Sequence, residues 1–160
     1  MAKSEKQKLK LLYIIQCLME KTDEEHAVTT QEIIDYLALQ GITAERKSIY
    51  TDIDLLTDFG MDIIKKPGRS GGYTLASRQF ELAELKLLVD AVQSSKFITT
   101  KKSRELIGKL ETLCSKYEAT QLHRQVVVTN RNKAVNENIY YNVDIIYNAI
   151  AENVKIQFQY

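Results

Sequence analysis

Glycine and proline are confined almost entirely to one stretch of this chain, and that confinement limits what it can fold into. Gly41, Gly60, Gly68, Gly71 and Gly72 lie close together, as does the single proline, Pro67. Residues 77–160 hold only Gly108, so that half reads as helices joined by polar loops. The 160 residues fit one domain or two small ones. A hydrophobic share of 44% with 27% charged side chains excludes a disordered chain.

The longest apolar run, Leu11 to Met19, is interrupted by Gln16 and is about half a membrane span. The chain opens without a signal-peptide pattern and reads as unexported and cytoplasmic. Cys17 and Cys114 are too few for a disulfide framework or a zinc cage, and both sit in helical patterns as buried thiols.

A first helix is expected over residues 4–20, with Leu11, Leu12, Ile15, Leu18 and Met19 on its apolar face. Asp23-Glu24-Glu25 then reads as a solvated loop, with His26 at the surface beside it. The next helix has a well-marked start. Thr29 and Glu32 make a capping box, and Val28 and Ile33 take the positions of a hydrophobic staple. Gly41 can close it in a left-handed conformation with Ile42 folding back onto Leu37. Thr43 is then expected to cap a third helix over residues 44–59. Two helices joined by a tight glycine turn form a helix-turn-helix, although any α-hairpin uses the same chemistry.

The third helix has two faces. Ile49, Ile53 and Leu56 cluster on one side; Lys47, Tyr50, Thr51, Asp54 and Asp58 cluster on the other. The second face suits a major-groove reader at its start, where a cation, a phenol and a hydroxyl can reach base edges and phosphates. It also suits a plain solvated face, and the two aspartates count against DNA. Met61 to Ile64 and Tyr73 to Leu75 read as two strands around Lys65-Lys66-Pro67-Gly68-Arg69-Ser70-Gly71-Gly72. A hairpin whose tip holds three cations and no acid, directly after a helix-turn-helix, reads as a wing. The alternative is a hairpin whose lysines keep its edge soluble.

Charge alone does not announce a nucleic-acid binder. Net charge is +1; residues 1–76 carry 10 basic and 12 acidic side chains, a net of −2, and the remainder is +3. The later half reads as a helix over residues 81–95 with Leu82, Leu85, Leu88, Val89 and Val92 on one face. A second helix starts at Thr99 or Thr100 with a stripe of Leu106, Ile107, Leu110, Leu113, Cys114 and Tyr117. Residues 122–135, with Val126-Val127-Val128, read as an extended segment and a loop holding an isolated His123. A last helix, capped by Asn136 or Asn138, presents Ile139, Val143, Ile146, Tyr147 and Ile150. Val154 to Tyr160 alternates as a strand does and ends without a partner, so the chain reads as cut at the start of another sheet domain. Neither histidine stands at a catalytic motif spacing, and Gly68 to Gly72 opens no helix as a phosphate-cradling loop would. The expectation is a protein that is not an enzyme and uses no cofactor or metal.

The residues Lys47-Ser48-Ile49-Tyr50-Thr51-Asp52-Ile53 and Gly68-Arg69-Ser70-Gly71-Gly72-Tyr73 resemble the T-I-Y-R-D-I and G-R-x-G-G-Y stretches of the WYL-domain transcriptional regulators of bacteria. Phe80 to Leu85 is similar to the opening of that family's middle helices, and Lys155 to Tyr160 to the first strand of its WYL domain. Thr51 departs from the arginine common in the family, and the chain has no tryptophan. The resemblance covers the first half of such a protein. It implies a winged-helix DNA-binding domain, a dimerising helical linker, and an effector ligand bound by a C-terminal domain outside this chain.

The expected fold is therefore mainly α with a small β-wing. It comprises a winged helix-turn-helix over 1–76, a helical linker over 77–135, and a helix with one terminal strand over 136–160. The expected function is sequence-specific reading of duplex DNA by a homodimer. Lys47, Ser48, Tyr50 and Thr51 would reach bases or phosphates, Thr30 and Gln31 would hold a phosphate on backbone N–H groups, and Lys65, Lys66 and Arg69 would touch the flanking backbone. The alternative is a protein-interaction module with the winged helix as scaffold.

Overall fold

The computed structural model describes residues 6–68, 71–126, 133, 135 and 138–157. It is mainly helical with one small antiparallel sheet. The elements are α1 (Lys10–Lys21), α2 (Thr30–Leu39), α3 (Arg46–Asp58), β1 (Ile63–Lys66), β2 (Gly72–Leu75), α4 (Leu82–Ser94), α5 (Thr100–Glu111), α6 (Lys116–Val126) and α7 (Ile139–Ala151). Among the described residues no helix is long and apolar enough to cross a membrane.

The start of α2 follows its sequence markers. Thr29 Oγ1 accepts the Glu32 N–H at 3.2 Å, and the Glu32 carboxylate accepts the Thr29 N–H at 2.7 Å. At its end Gly41 has φ of 75° and the Ile42 N–H returns to the Leu37 carbonyl at 3.0 Å. Thr43, however, caps nothing. The N-cap of α3 is Glu45, whose side chain makes no cap bond. Instead α3 is held from the side, where Lys10 of α1 pairs with Asp52 at 2.7 Å and also donates to the Ser48 hydroxyl.

The apolar face of α1 is rotated from the expected one. Ile14, Cys17 and Leu18 are fully buried, whereas Leu12 and Met19 are exposed. Helical spacing permits either face, and the packing against α2 and α3 selects the one that carries Ile14. The strands are also longer toward the turn than expected. β1 runs through Lys65 and Lys66, which pair with Tyr73 and Gly72, so these lysines belong to the ladder rather than to the tip. Val28 extends the pairing: its N–H donates to the Tyr73 carbonyl at 3.0 Å, and the Tyr73 N–H donates back at 2.8 Å. Gly72 is required at that approach, because a Cβ there would lie 2.3 Å from the Val28 carbonyl oxygen.

Two buried clusters result. The first joins α1, α2, α3 and the sheet around Ile14, Leu18, Ile33, Leu37, Ile49 and Tyr73. The second joins α4, α5 and α6 around Leu85, Val89, Ile107, Cys114 and Leu122. The stripe expected to run through Tyr117 on one helix is broken: α5 ends at Glu111, and α6 begins after Ser115. Ser115 Oγ accepts the Glu118 N–H at 3.1 Å, and the Glu118 carboxylate accepts the Ser115 N–H at 3.0 Å, which is again capping-box geometry. Residues 122–126 are therefore helical rather than extended, and the rest of that expected segment lies almost wholly outside the described residues. Val154 to Gln157 form no strand, there being no neighbouring strand to pair with among the described residues; the last three residues of the expected strand lie outside them.

The loop after α1 joins the two clusters and is not the solvated turn expected. Asp23 is buried and accepts the Ser115 hydroxyl at 2.6 Å, together with the backbone N–H groups of Glu25 at 3.0 Å and His26 at 2.8 Å. The His26 ring nitrogen Nδ1 lies 2.7 Å from the same carboxylate, and the ring stacks on Tyr117 with centroids 3.6 Å apart. Arg78 donates to the Met19 carbonyl at 2.8 Å and to that of Thr22.

Two outcomes follow for stability. Gly72→Ala should cost about 1–3 kcal/mol through the clash with Val28, read from the urea midpoint; an unchanged midpoint would show that the hairpin shifts freely. Asp23 supplies the second. Burial raises its pKa, but the hydrogen bonds from Ser115, His26 and Glu25 outweigh burial and hold the carboxyl below its ordinary value. Its stabilisation is complete above the ordinary aspartate pKa and is lost as pH falls through the lowered folded value. The stability gap between the natural chain and Asp23→Asn should therefore hold steady from neutral pH down to about pH 5 and narrow as pH falls below the ordinary aspartate value. A constant gap would mean that the charge of Asp23 contributes nothing.

Candidate nucleic-acid interface

The face of α3 that points away from the core carries Lys47, Tyr50, Thr51, Asp54 and Asp58, all exposed, while Ile49, Ile53 and Leu56 are buried beneath them. Lys47, Tyr50 and Asp54 follow one another at helical turns along this face. Strand alternation brings the sheet to the same place. Lys65 and its partner Tyr73 share one side of the hairpin. The Lys65 ammonium lies 5.7 Å from the centroid of the Tyr50 ring, within cation–π range.

Tyr73 lies beneath this group and is 5% exposed. Burial pushes its phenol pKa up, a hydrogen bond from Thr30 lowers it in part, and the neighbouring Tyr50 and Asp54 raise it further. Its ring lies in the cluster that joins α2, α3 and β1. Tyr73 is a position of the candidate face that residue-by-residue reading missed. Its signal was present, since strand alternation beside the obligatory Gly72 places it on the core side.

The other expected contacts are not all on this face. Ser48 is half-buried and held by Lys10. The Thr51 hydroxyl donates to the Lys47 carbonyl at 3.2 Å, and the Gln31 amide donates to Asp35 at 2.9 Å. Lys66 alternates to the opposite side of the hairpin and donates to the Glu24 carbonyl. Arg69 lies outside the described residues. The capping box also places the Glu32 carboxylate at the α2 start, beside the Thr30 and Gln31 N–H groups expected to receive a phosphate. The face is consequently mixed, with cations at Lys47 and Lys65 and carboxylates at Glu32, Asp54 and Asp58.

On the far side of the hairpin Ile64 and Thr74 line an open groove with Glu24, Glu25, Asp62, Arg78 and Glu118. Its polar side chains are largely committed: Lys66 and Arg78 donate to backbone carbonyls, and Glu118 caps α6. The described residues contain no group of side chains arranged to hold a metal ion. His123 lies 3.1 Å from Glu111 and is otherwise exposed. Burial pushes the thiols of Cys17 and Cys114 up to about 11, which leaves them protonated and inert.

Comparison with family models, curated proteins and solved structures finds no match for this chain.

The lateral hold on α3 is open to a direct check. Lys10→Met leaves the Asp52 carboxylate buried and unpaired, and should cost on the order of 3 kcal/mol in urea unfolding. Lys10→Met combined with Asp52→Leu should recover most of that loss. A cost under about 1 kcal/mol would place the pair with ordinary surface salt bridges.

Proposed function

We propose that this chain is a sequence-specific duplex-DNA-binding regulator of transcription. Residues 1–76 would act as a winged helix-turn-helix, with α3 in the major groove and the β1–β2 hairpin on the flanking backbone. The observation that carries this function is the Lys65 ammonium resting over the Tyr50 ring, which joins the hairpin to the exposed face of α3 beside Lys47 and above the buried Tyr73 that pairs with Lys65. The likeness of the α3 and hairpin sequences to WYL-domain regulators supports it.

The chemistry suits base edges. Lys47 donates to guanine O6 or N7, and Tyr50 packs on sugar or a thymine methyl. A carboxylate in the groove is repelled by phosphate unless it meets an amino group, so Asp54 belongs opposite cytosine N4. Lys65 neutralises a phosphate while resting on Tyr50. Pairing of two chains fits the same function, since half-sites one helical turn apart multiply specificity. α7 supports pairing: Tyr141, Ile145, Tyr147 and Ile150 are exposed along it.

A second function, a protein-interaction module, is favoured by Leu39 and Phe59. These apolar side chains at the ends of α2 and α3 are 81% and 82% exposed. Binding selection from a random duplex library separates the two. An enriched motif supports duplex reading, and an inverted repeat supports a symmetric pair; a folded chain that enriches nothing supports the interaction module.

With the selected duplex, Lys47→Ala should weaken binding by about 1–3 kcal/mol if it reads guanine. Lys65→Ala should flatten the dependence of log affinity on log salt by about 0.9, while Lys66→Ala should leave the slope unchanged. Equal effects of the two lysines would mean that the hairpin meets DNA in another orientation.

A further inference from the structure

The two buried clusters come from consecutive stretches of chain, and α1 against α6 is the principal contact between their elements. At that contact stands the buried carboxylate of Asp23. Asp23 Oδ1 receives the Glu25 and His26 N–H groups and the His26 ring, which closes the turn leaving α1. Its other oxygen receives the hydroxyl of Ser115, a residue 92 positions away and fully buried. Ser115 is at the same time the cap of α6. The stack of His26 on Tyr117 and the grip of Arg78 on the end of α1 surround this bond.

A contact built this way differs from apolar docking. Apolar side chains slide at little cost, because burial is non-directional. A buried carboxylate with each donor in place tolerates no rotation, since any displaced donor is left desolvated. The junction therefore sets an angle as well as an attachment. We propose that Asp23 is the positioning residue of the reading face, fixing the angle at which the α4–α6 part carries α3 and the hairpin, so that two paired chains present their α3 helices at a set separation. Its functional half rests on the duplex-reading proposal; its mechanical half does not.

The test uses the full chain with Asp23→Ala and, separately, Ser115→Asp. The second variant keeps a good α6 cap while setting a carboxylate against Asp23. Amide ¹⁵N relaxation should give one rotational correlation time for the natural chain. In both variants the two clusters should tumble separately while each keeps its amide protection. Joint tumbling in a variant whose clusters remain folded would overturn the coupling. If Asp23→Ala fails to fold, Ser115→Asp decides by the same criterion.

Duplex binding then reads the functional half. Single half-site affinity should stay within about twofold, while affinity for the paired site should fall on the order of 10²-fold, the gain that geometry gives to linked binding. The variants should also accept altered half-site spacing. Equal losses on single and paired sites, or no preference of the natural chain for paired sites, would overturn the positioning role. A natural chain that binds no duplex removes the duplex-reading proposal and the positioning role with it, leaving the coupling to be decided by tumbling alone.

Discussion

The exchange of hydrogen bonds between Val28 and Tyr73 is the contact on which the candidate face depends. It ties the hairpin to the segment entering α2, and it is possible only because residue 72 has no side chain. Once the Tyr73 backbone is fixed there, strand alternation directs its ring into the first cluster and sets Lys65 on the same side. There the ring packs in one cluster with Ile33 of α2 and with Ile49 and Ile53 of α3. The hairpin is short, and two strands alone are marginal in water. Its stability comes from this third, one-residue strand and from the apolar side chains of Ile63, Tyr73 and Leu75 packed on the helices.

What was legible in the sequence was local. The capping box at Thr29, the glycine closure at Gly41 and the two-faced α3 all depend on residues a few positions apart, and all are present. The hairpin was legible as an element, but not in its extent, because lysines at the end of a strand look like lysines in a turn until a partner strand is known. The same limit explains Lys66. Its sign was legible, but its side of the sheet depends on pairing with Gly72. The α5–α6 break was marked by Ser115 and Glu118 at capping-box spacing, and a run of apolar positions carried the expected helix across it.

The long-range polar contacts were not legible. Nothing near Asp23 in the sequence names Ser115 as its partner, and a run of three acids ordinarily marks solvent. Burial reverses that meaning: of the three, Asp23 turns inward and Glu24 and Glu25 remain outside. Lys10 is a similar case, an N-terminal lysine taken by Asp52 and Ser48 of α3. Both contacts join segments whose apolar patterns say only that each is a helix. They settle which faces meet, since a charged group buried without its partner costs more than a misplaced apolar one.

These polar anchors also bear on the mixed charge of the candidate face. Ser48 and Asp52 are consumed in holding α3 against α1, which leaves Lys47, Tyr50 and Asp54 as the groups free to meet a partner. A face of this kind gains little from long-range attraction, because its cations and carboxylates cancel beyond a Debye length of about 8 Å. Close to a duplex the balance changes. In the proposed duplex reading Lys47 and Lys65 would each gain a phosphate or guanine, whereas Asp54 would be tolerated only where an amino group stands opposite. Weak general attraction with a local demand of this sort lowers affinity for arbitrary DNA more than for a matching site, which favours discrimination over strength.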